Sequence, residues 1–259
     1  MLKDSAYKAI CAAGHRWTPR AYINNLEMSY HLRELFSTQH VTCAVDVGAN
    51  EGQYRNFLRR RCGYEVLIIS FEPVREVFNI IQQRAKSDSN WLVFNCALGA
   101  RSGKLEINVM QDSHFSSFLS PNLAEIDRPD IKTKNVIARR QEVQVRTVPE
   151  ALADVGSEHD LSRVYLKMDT QGYDFEVLRG AGTALDRVVA LQTEVPVKPL
   201  YEGMVTFSGA IAELAHYGYE VTGLYPVTRD RLLRVIEFDC VAVKVAEGGR
   251  PVAVGLPGA

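Results

Sequence analysis

The sequence predicts an α/β protein built on a doubly wound, mostly parallel sheet of seven strands, preceded by helices and carrying a β-hairpin flap as an insertion. Three observations predict it. From Val41 onward, short apolar runs alternate with helix-length segments. The first run, CAVDV, leads into a glycine turn, GANEG, that opens a helix. The last two runs follow one another with no helix between them, as an antiparallel pair closing the sheet would. With 259 residues, 46% of them hydrophobic, 24% charged and 9% aromatic, the chain has the material for one elaborated domain around one core.

Taken in order, residues 1–40 have helical spacing, with Tyr22, Leu26 and Tyr30 four apart, Leu35 and Phe36 following, and Pro19 starting or interrupting a helix. The strand runs are CAVDV ending near Val47, VLIISF ending at Phe71, WLVFNCAL around residue 94, VYLKM ending at Met168 and VVALQT ending at Thr193. Between them, VREVFNIIQQRAK puts Val77, Phe78, Ile81 and Ala85 on one helical face, and SGAIAELAHYG does the same with Ile211, Leu214 and Ala215. GYEVTGLY and LLRVIEFDCVAVK supply the closing pair. GKLEINVM and QEVQVRTV have strand-like period two and flank the polar stretch 111–140, so about 103–147 reads as a flap over the sheet's edge. The main domain therefore spans 41–245, and the Gly- and Pro-containing tail 246–259 is expected to be flexible.

Thirty Lys and Arg against thirty-one Asp and Glu leave a formal charge of -1, which gives no global attraction to a nucleic-acid backbone, so no nucleic-acid partner is expected. The run Arg59–Arg60–Arg61 and the pair Arg139–Arg140 read as solvated faces rather than an RNA surface. Five scattered cysteines without a C-x-x-C pair read as reduced thiols, and with no apolar core in MLKDSAYKAICAAG and no run approaching the roughly 18 apolar residues of a membrane span, a cytoplasmic protein without signal or anchor is expected. No H-x-H or H-E-x-x-H occurs, so a divalent metal is not indicated, and the oligomeric state is left open.

The chemistry concentrates at four strand ends. In VDVGANEG a buried strand delivers Asp46, then Gly48 and Gly52, into a turn where backbone can approach a ligand closely. A pyrophosphate-binding G-x-G-x-x-G would need glycine where Asn50 and Gln53 stand, which argues against a nicotinamide cofactor. The turn suits a ligand with a small carboxylate and an amine, the polarity of the methionine end of S-adenosylmethionine, with Asp46 offered to a cation. Glu72 ends the second strand, where acids bind ribose hydroxyls. Lys167 and Asp169 end the VYLKM run before Gly172 opens a helix bearing Phe175 and Leu178, and Glu194 ends the next run, beside Asp169 if the strand order is the usual one.

In this order, VDVGANEGQ at 45–53, FEPV at 71–74, NCALG at 95–99, SSFL at 116–119, KMDTQGYDFEVLRGA at 167–181 and LYEG at 200–203 resemble the FkbM family of methyltransferases across about residues 41–244. The resemblance implies a Rossmann-like class I methyltransferase fold and transfer of a methyl group to a hydroxyl oxygen. It implies that Asp46, Gly48, Ala49, Asn50 and Gly52 hold the methionine portion of S-adenosylmethionine, Glu72 the ribose, and Cys96, Ala97 and Leu98 the adenine. Thr170, Tyr173 and Asp174 depart from the family's usual stretch, which bears on substrate identity.

An alcohol attacks a methyl sulfonium only as its proton leaves, which calls for a positioned base or a metal that acidifies the hydroxyl; Asp169, Glu194 and the flap residue His114 are the base candidates. The expected acceptor is a hydroxyl of a sugar, glycolipid or other secondary metabolite, a small molecule or glycan. The alternatives are a nicotinamide-dependent Rossmann oxidoreductase, a catalytically silent S-adenosylmethionine-binding protein and an RNA methyltransferase.

Overall fold

The computed structural model describes residues 20–126 and 128–245, the first five of them by backbone alone. Residues 1–19 of the expected helical segment, Cys11 and the tail 246–259 lie outside the described residues.

The main sheet has seven strands: β1 (Cys43–Val47), β2 (Leu67–Phe71), β3 (Trp91–Phe94), β7 (Val164–Met168), β8 (Val188–Pro196), β9 (Tyr219–Arg229) and β10 (Val235–Lys244), in the order β3-β2-β1-β7-β8-β10-β9. The five on the β3 side run parallel, and β10 lies antiparallel to both β8 and β9. The parallel part is buried on both faces, which is why its strands read as unbroken apolar runs.

Alternation along each strand sorts the core. Cys43, Val45 and Val47, with Ile69, Leu166 and Leu191, face one layer containing α5 (Val148–Ala153), α6 (Asp174–Arg179) and α7 (Phe207–His216). Ala44, Ile68, Tyr165 and Ala190 face the other, where α1 (Arg20–Thr38), α2 (Gln53–Phe57, continuing as a π-helical turn over Leu58–Cys62) and α3 (Arg75–Ala85) pack. The sheet is thus doubly wound.

Several expectations need correction. The buried stripe of α1 is Met28, Leu32, Leu35 and Phe36, while Leu26 and Tyr30 are exposed, because the spacing of four adopted for the aromatics drifts off the face that meets the sheet. On α7, Ala210 and Leu214 are buried and Ala215 is exposed, for the same reason. WLVFNCAL is two strands: after Phe94 the chain leaves the main sheet, and β4 (Ala97–Leu98) pairs with β6 (Ile137–Arg146). β6 also pairs antiparallel with β5 (Gly103–Met110), giving a second, three-stranded sheet. The insertion does not hang over the sheet's edge. The segment between β5 and β6, with α4 (Pro129–Lys134), packs Met110, Ile126 and Ile131 against Leu200 and Tyr201 after β8 and Ile236 of β10 in a small shared core, and lies across the carboxyl ends of the central strands. Nor is Arg59 part of a solvated face: its guanidinium bonds Asp88 and the Val66 and Asn90 carbonyls, clamping α2 to the loops flanking β2. Arg139 and Arg140 pair with Glu76 and Glu106.

Cys43, Cys62, Cys96 and Cys240 are free, buried thiols. Among the described residues no helix is long and apolar enough to cross a membrane.

Leu32 of α1 is fully buried against this core. Leu32→Ala is expected to cost about 3 kcal/mol in urea unfolding, the usual cost of a buried cavity; a loss below about 1 kcal/mol would mean that α1 stands outside the cooperative unit.

Candidate functional site

On the α1/α2 face of the sheet the strands begin apolar and end polar. Ala44 gives way to Asp46 and Gly48, Ile68 to Ser70 and Glu72, Tyr165 to Lys167 and Asp169, and Ala190 to Gln192 and Glu194, and the register sets Ser70, Asp46, Lys167 and Gln192 side by side in one row. Above that row lies a cavity of about 340 Å³, at the carboxyl ends of the strands where open α/β sheets take their ligands.

The glycine turn forms one wall. Gly48 has φ +80°, and a β-carbon there would lie 2.0 Å from the carbonyl oxygen of Asp169, so only glycine lets β1 pass β7 so closely. Asn50, at φ 43°, donates its backbone N–H to Glu72 Oε2 at 2.9 Å, and Val74 N–H donates to Glu72 Oε1 at 2.8 Å. Glu72 is almost wholly buried, and burial pushes its carboxyl up to about 7 despite those two bonds. The turn after the first strand and the acid closing the second are therefore hydrogen-bonded to each other on one cavity wall.

Of the cofactor residues expected from the sequence, Gly48, Ala49, Asn50, Glu72, Ala97 and Leu98 line this cavity, and Asp46, Gly52 and Cys96 do not. The cation beside Asp46 is internal: Lys167 Nζ lies 2.9 Å from Asp46 Oδ1, and Ser70 Oγ donates to Oδ2 at 3.4 Å. Burial raises the Asp46 carboxyl and Lys167 draws it back; burial would lower Lys167, but Asp169 and Asp46 hold it above its ordinary value, so the ammonium is charged. Gly52 is closed off by Trp91, whose ring a β-carbon would meet at 2.7 Å. Cys96 points into the core with Leu98 and Val148.

All three base candidates line the cavity. Lys167 Nζ reaches Asp169 Oδ2 at 3.2 Å. Gln171, held at φ 54°, donates its side-chain amide to both Asp169 Oδ1 at 3.1 Å and Glu194 Oε2 at 3.0 Å, and so couples the two carboxylates that the strand order brings together. Its own orientation is set by the Tyr201 hydroxyl on Oε1 at 2.8 Å and by Ser117 Oγ donating to its carbonyl at 2.7 Å. Burial first, then Asp169 and Glu237, raise the Glu194 carboxyl well above the usual range. His114 sits otherwise. Its Nε2 is met by the Gln53 side-chain amide, which can only donate, so Nδ1 carries the proton and donates to Asp112 Oδ1 at 2.7 Å. The His114 lone pair is thus engaged, and the residue latches the insertion onto the turn alongside Asn50 Nδ2, which donates to Ser113 Oγ at 3.1 Å.

Sequence reading passed over Tyr54, Gln192 and Asp239. Tyr54 and Tyr165 hydroxyls both donate to Gln192 Oε1, at 2.7 and 2.8 Å, and Gln192 Nε2 donates to Asp239 Oδ1 at 2.8 Å. The available signal was an acid inside the apolar closing strand, VIEFDCVAV. Among the described residues, no group of three or more His, Cys, Asp or Glu side chains is placed to hold a metal ion.

A family model described as the FkbM methyltransferase domain matches residues 46–221. No curated protein matches the sequence. Among solved structures, the FkbM methyltransferase of Methylobacillus flagellatus KT is similar at 17% identity and TM-score 0.48, covering 78% of this chain and 43% of its own, so the chain spans less than half of that protein. The magnesium protoporphyrin IX methyltransferase ChlM of Synechocystis PCC 6803, solved with bound SAM, is similar at 8% identity and TM-score 0.45, covering 86% of this chain and 81% of its own. Fibrillarin of Aeropyrum pernix, in complex with natively bound S-adenosyl-L-methionine, is similar at 10% identity and TM-score 0.45, covering 78% and 66%.

Gly48→Ala combines a strained φ with a backbone clash, whereas at Gly63, with φ +66°, a β-carbon would meet nothing within 4 Å. In urea titrations Gly48→Ala is expected to lose at least about 2 kcal/mol and Gly63→Ala about 1 kcal/mol, and equal losses would show that the Gly48 contact is relieved at no cost.

Proposed function

The chain belongs to the FkbM methyltransferase family, and from that premise we propose that it is a cytoplasmic O-methyltransferase using S-adenosylmethionine to methylate a hydroxyl of a sugar, glycolipid or other secondary metabolite. One observation carries the proposal: the Glu72 carboxylate and the Asn50 N–H of the glycine turn are joined at 2.9 Å on one cavity wall, so an acid fit for two vicinal hydroxyls and a turn fit for an amino-acid moiety address one ligand.

The residues present fit that donor. Gly48, Ala49 and Asn50 would receive its methionine portion, Glu72 its ribose, and Ala97 and Leu98, with Ile107 and Phe118 beside them, supply an apolar slot for its adenine. When bound, S-adenosylmethionine supplies an electrophilic methyl group on a sulfonium.

The chain's own part is alignment, exclusion of water and removal of one proton. The insertion covers the strand ends through its bonds to Asn50, Gln53 and Gln171 and keeps water out. The acceptor hydroxyl would give its proton to the Asp169–Glu194 pair, and bound S-adenosylmethionine would supply the methyl group to that oxygen and leave as the neutral thioether. Lys167 Nζ lies 3.2 Å from Asp169 Oδ2, and Gln171 ties the two carboxylates together through its side-chain amide.

Calorimetric titration with S-adenosylmethionine and with its demethylated product tests the donor site; absence of heat with both would overturn the proposal. Because Glu72 titrates at about 7, donor affinity is expected to rise as pH passes through that value, the carboxylate being the better hydroxyl acceptor. Glu72→Gln, folded by circular dichroism, is expected to bind about tenfold more weakly at pH 8 and to lose this pH dependence. Asp169→Asn and Glu194→Gln are expected to keep donor binding and to lower transfer of labelled methyl into a metabolite extract of the source cells by about 100-fold or more.

A further inference from the structure

Beyond the donor-binding wall, the cavity extends over β8 and β10 toward α1, where Met28, Tyr54, Gln192 and Asp239 face it. This lobe has a built orientation. Gln192, 3% exposed, cannot turn its amide over, because its oxygen already receives the two hydroxyl bonds of Tyr54 and Tyr165, so its N–H is aimed at Asp239 Oδ1 and holds that carboxylate at the cavity wall. Across the β8–β10 register, Asp239 stands opposite Glu194, which Gln171 and Tyr201 hold in the same way.

The charge of the lobe is one-sided. Asp169, Glu194 and Asp239 line the cavity, with Glu237 buried behind them on β10. Among the described residues that line it, Lys167 is the one Lys or Arg, and its ammonium is already shared between Asp46 at 2.9 Å and Asp169 at 3.2 Å. A phosphate, sulfate or carboxylate on the acceptor would meet acids with no basic group to receive it. The donor's sulfonium would not answer this charge: the turn proposed to receive the donor follows β1, whereas Asp239 is on β10, three strands away and about 14 Å across the sheet. Burial raises both acids, Asp239 to about 6, as expected of carboxylates that lack a cation.

We propose, resting on the methyltransferase reading, that the acceptor carries a protonated amine beside the hydroxyl that is methylated, as in an amino sugar or amino alcohol, and that Asp239 and Glu194 bind the ammonium. Held as an ammonium, the nitrogen has no lone pair to attack with, so the methyl group goes to oxygen.

Three matched hexoses test this by calorimetry at pH 7 on enzyme saturated with S-adenosylhomocysteine: glucosamine, glucose and glucose 6-phosphate. Glucosamine is expected to bind about tenfold more tightly than glucose, and glucose 6-phosphate more weakly than either. Asp239→Asn, and independently Glu194→Gln, are expected to abolish the preference while changing S-adenosylhomocysteine affinity by less than about twofold. Equal affinities, a preference for the phosphate, binding of none of the three, or a preference that survives both substitutions would overturn the assignment. If S-adenosylhomocysteine itself does not bind, the donor reading falls, and the same series titrated into the free enzyme decides the charge of the lobe separately.

Discussion

A lysine with almost no access to water ties the two central strands together at the end where the cavity opens. Lys167 on β7 reaches Asp46 on β1 and Asp169 just past its own strand, and stands over the Tyr54 ring at 4.8 Å. Taking such charges out of water is costly, and a buried pair of this kind is poor evidence for stability. What it does is fix position. With Asp46 satisfied, the chain can turn sharply at Gly48, and with Asp169 drawn toward Lys167, the second carboxylate of the pair, Glu194, is left to Gln171.

From that point two hydrogen-bonded systems spread in opposite directions along the strand ends. Toward β2, the turn residue Asn50 joins Glu72 and makes a wall suited to a nucleoside and an amino-acid group. Toward β8 and β10, Gln171 with Tyr201 holds Asp169 and Glu194, and Gln192 with Tyr54 and Tyr165 holds Asp239. Each amide has its oxygen engaged by tyrosine hydroxyl groups, which decides which way its N–H points. One half of the cavity therefore presents a glycine turn tied to a single buried acid, and the other a set of carboxylates held by amides.

The insertion completes this arrangement rather than ornamenting it. It carries a small apolar core shared with β10 and the segment after β8, and a second sheet that packs Val143 and Val145 against Val74 and Val77 at the start of α3. Its polar contacts with the site are Ser113 to Asn50, His114 to Gln53 and Ser117 to Gln171, while Ile107 and Phe118 give it an apolar share of the cavity wall. A cover built this way can hold two separate segments of the site in register, the turn leading into α2 and the loop after β7.

Much of this was legible in the chain itself. The doubly wound sheet, its strand count and the placement of Glu72, Asp169 and Glu194 at strand ends follow from short apolar runs alternating with helix-length segments and from the glycine turn after the first run, and these are local properties. The resemblance carried by short motifs in fixed order indicated the family, and three of them, VDVGANEGQ, FEPV and KMDTQGYDFEVLRGA, run across the ends of β1, β2 and β7. Only the tertiary structure decided where side chains on different strands meet: that Asp46 is paired with Lys167 below the cavity, that Gly52 abuts Trp91, that His114 has its lone pair taken, that Arg59 is a clamp, and that Asp239 shares a cavity with Glu194. The physical reason is that hydrogen bonds and ion pairs depend on distance in space, and residues such as Tyr54, Gln192 and Asp239, far apart along the chain, become neighbours only when the sheet order β7-β8-β10 is set by burial of the apolar faces.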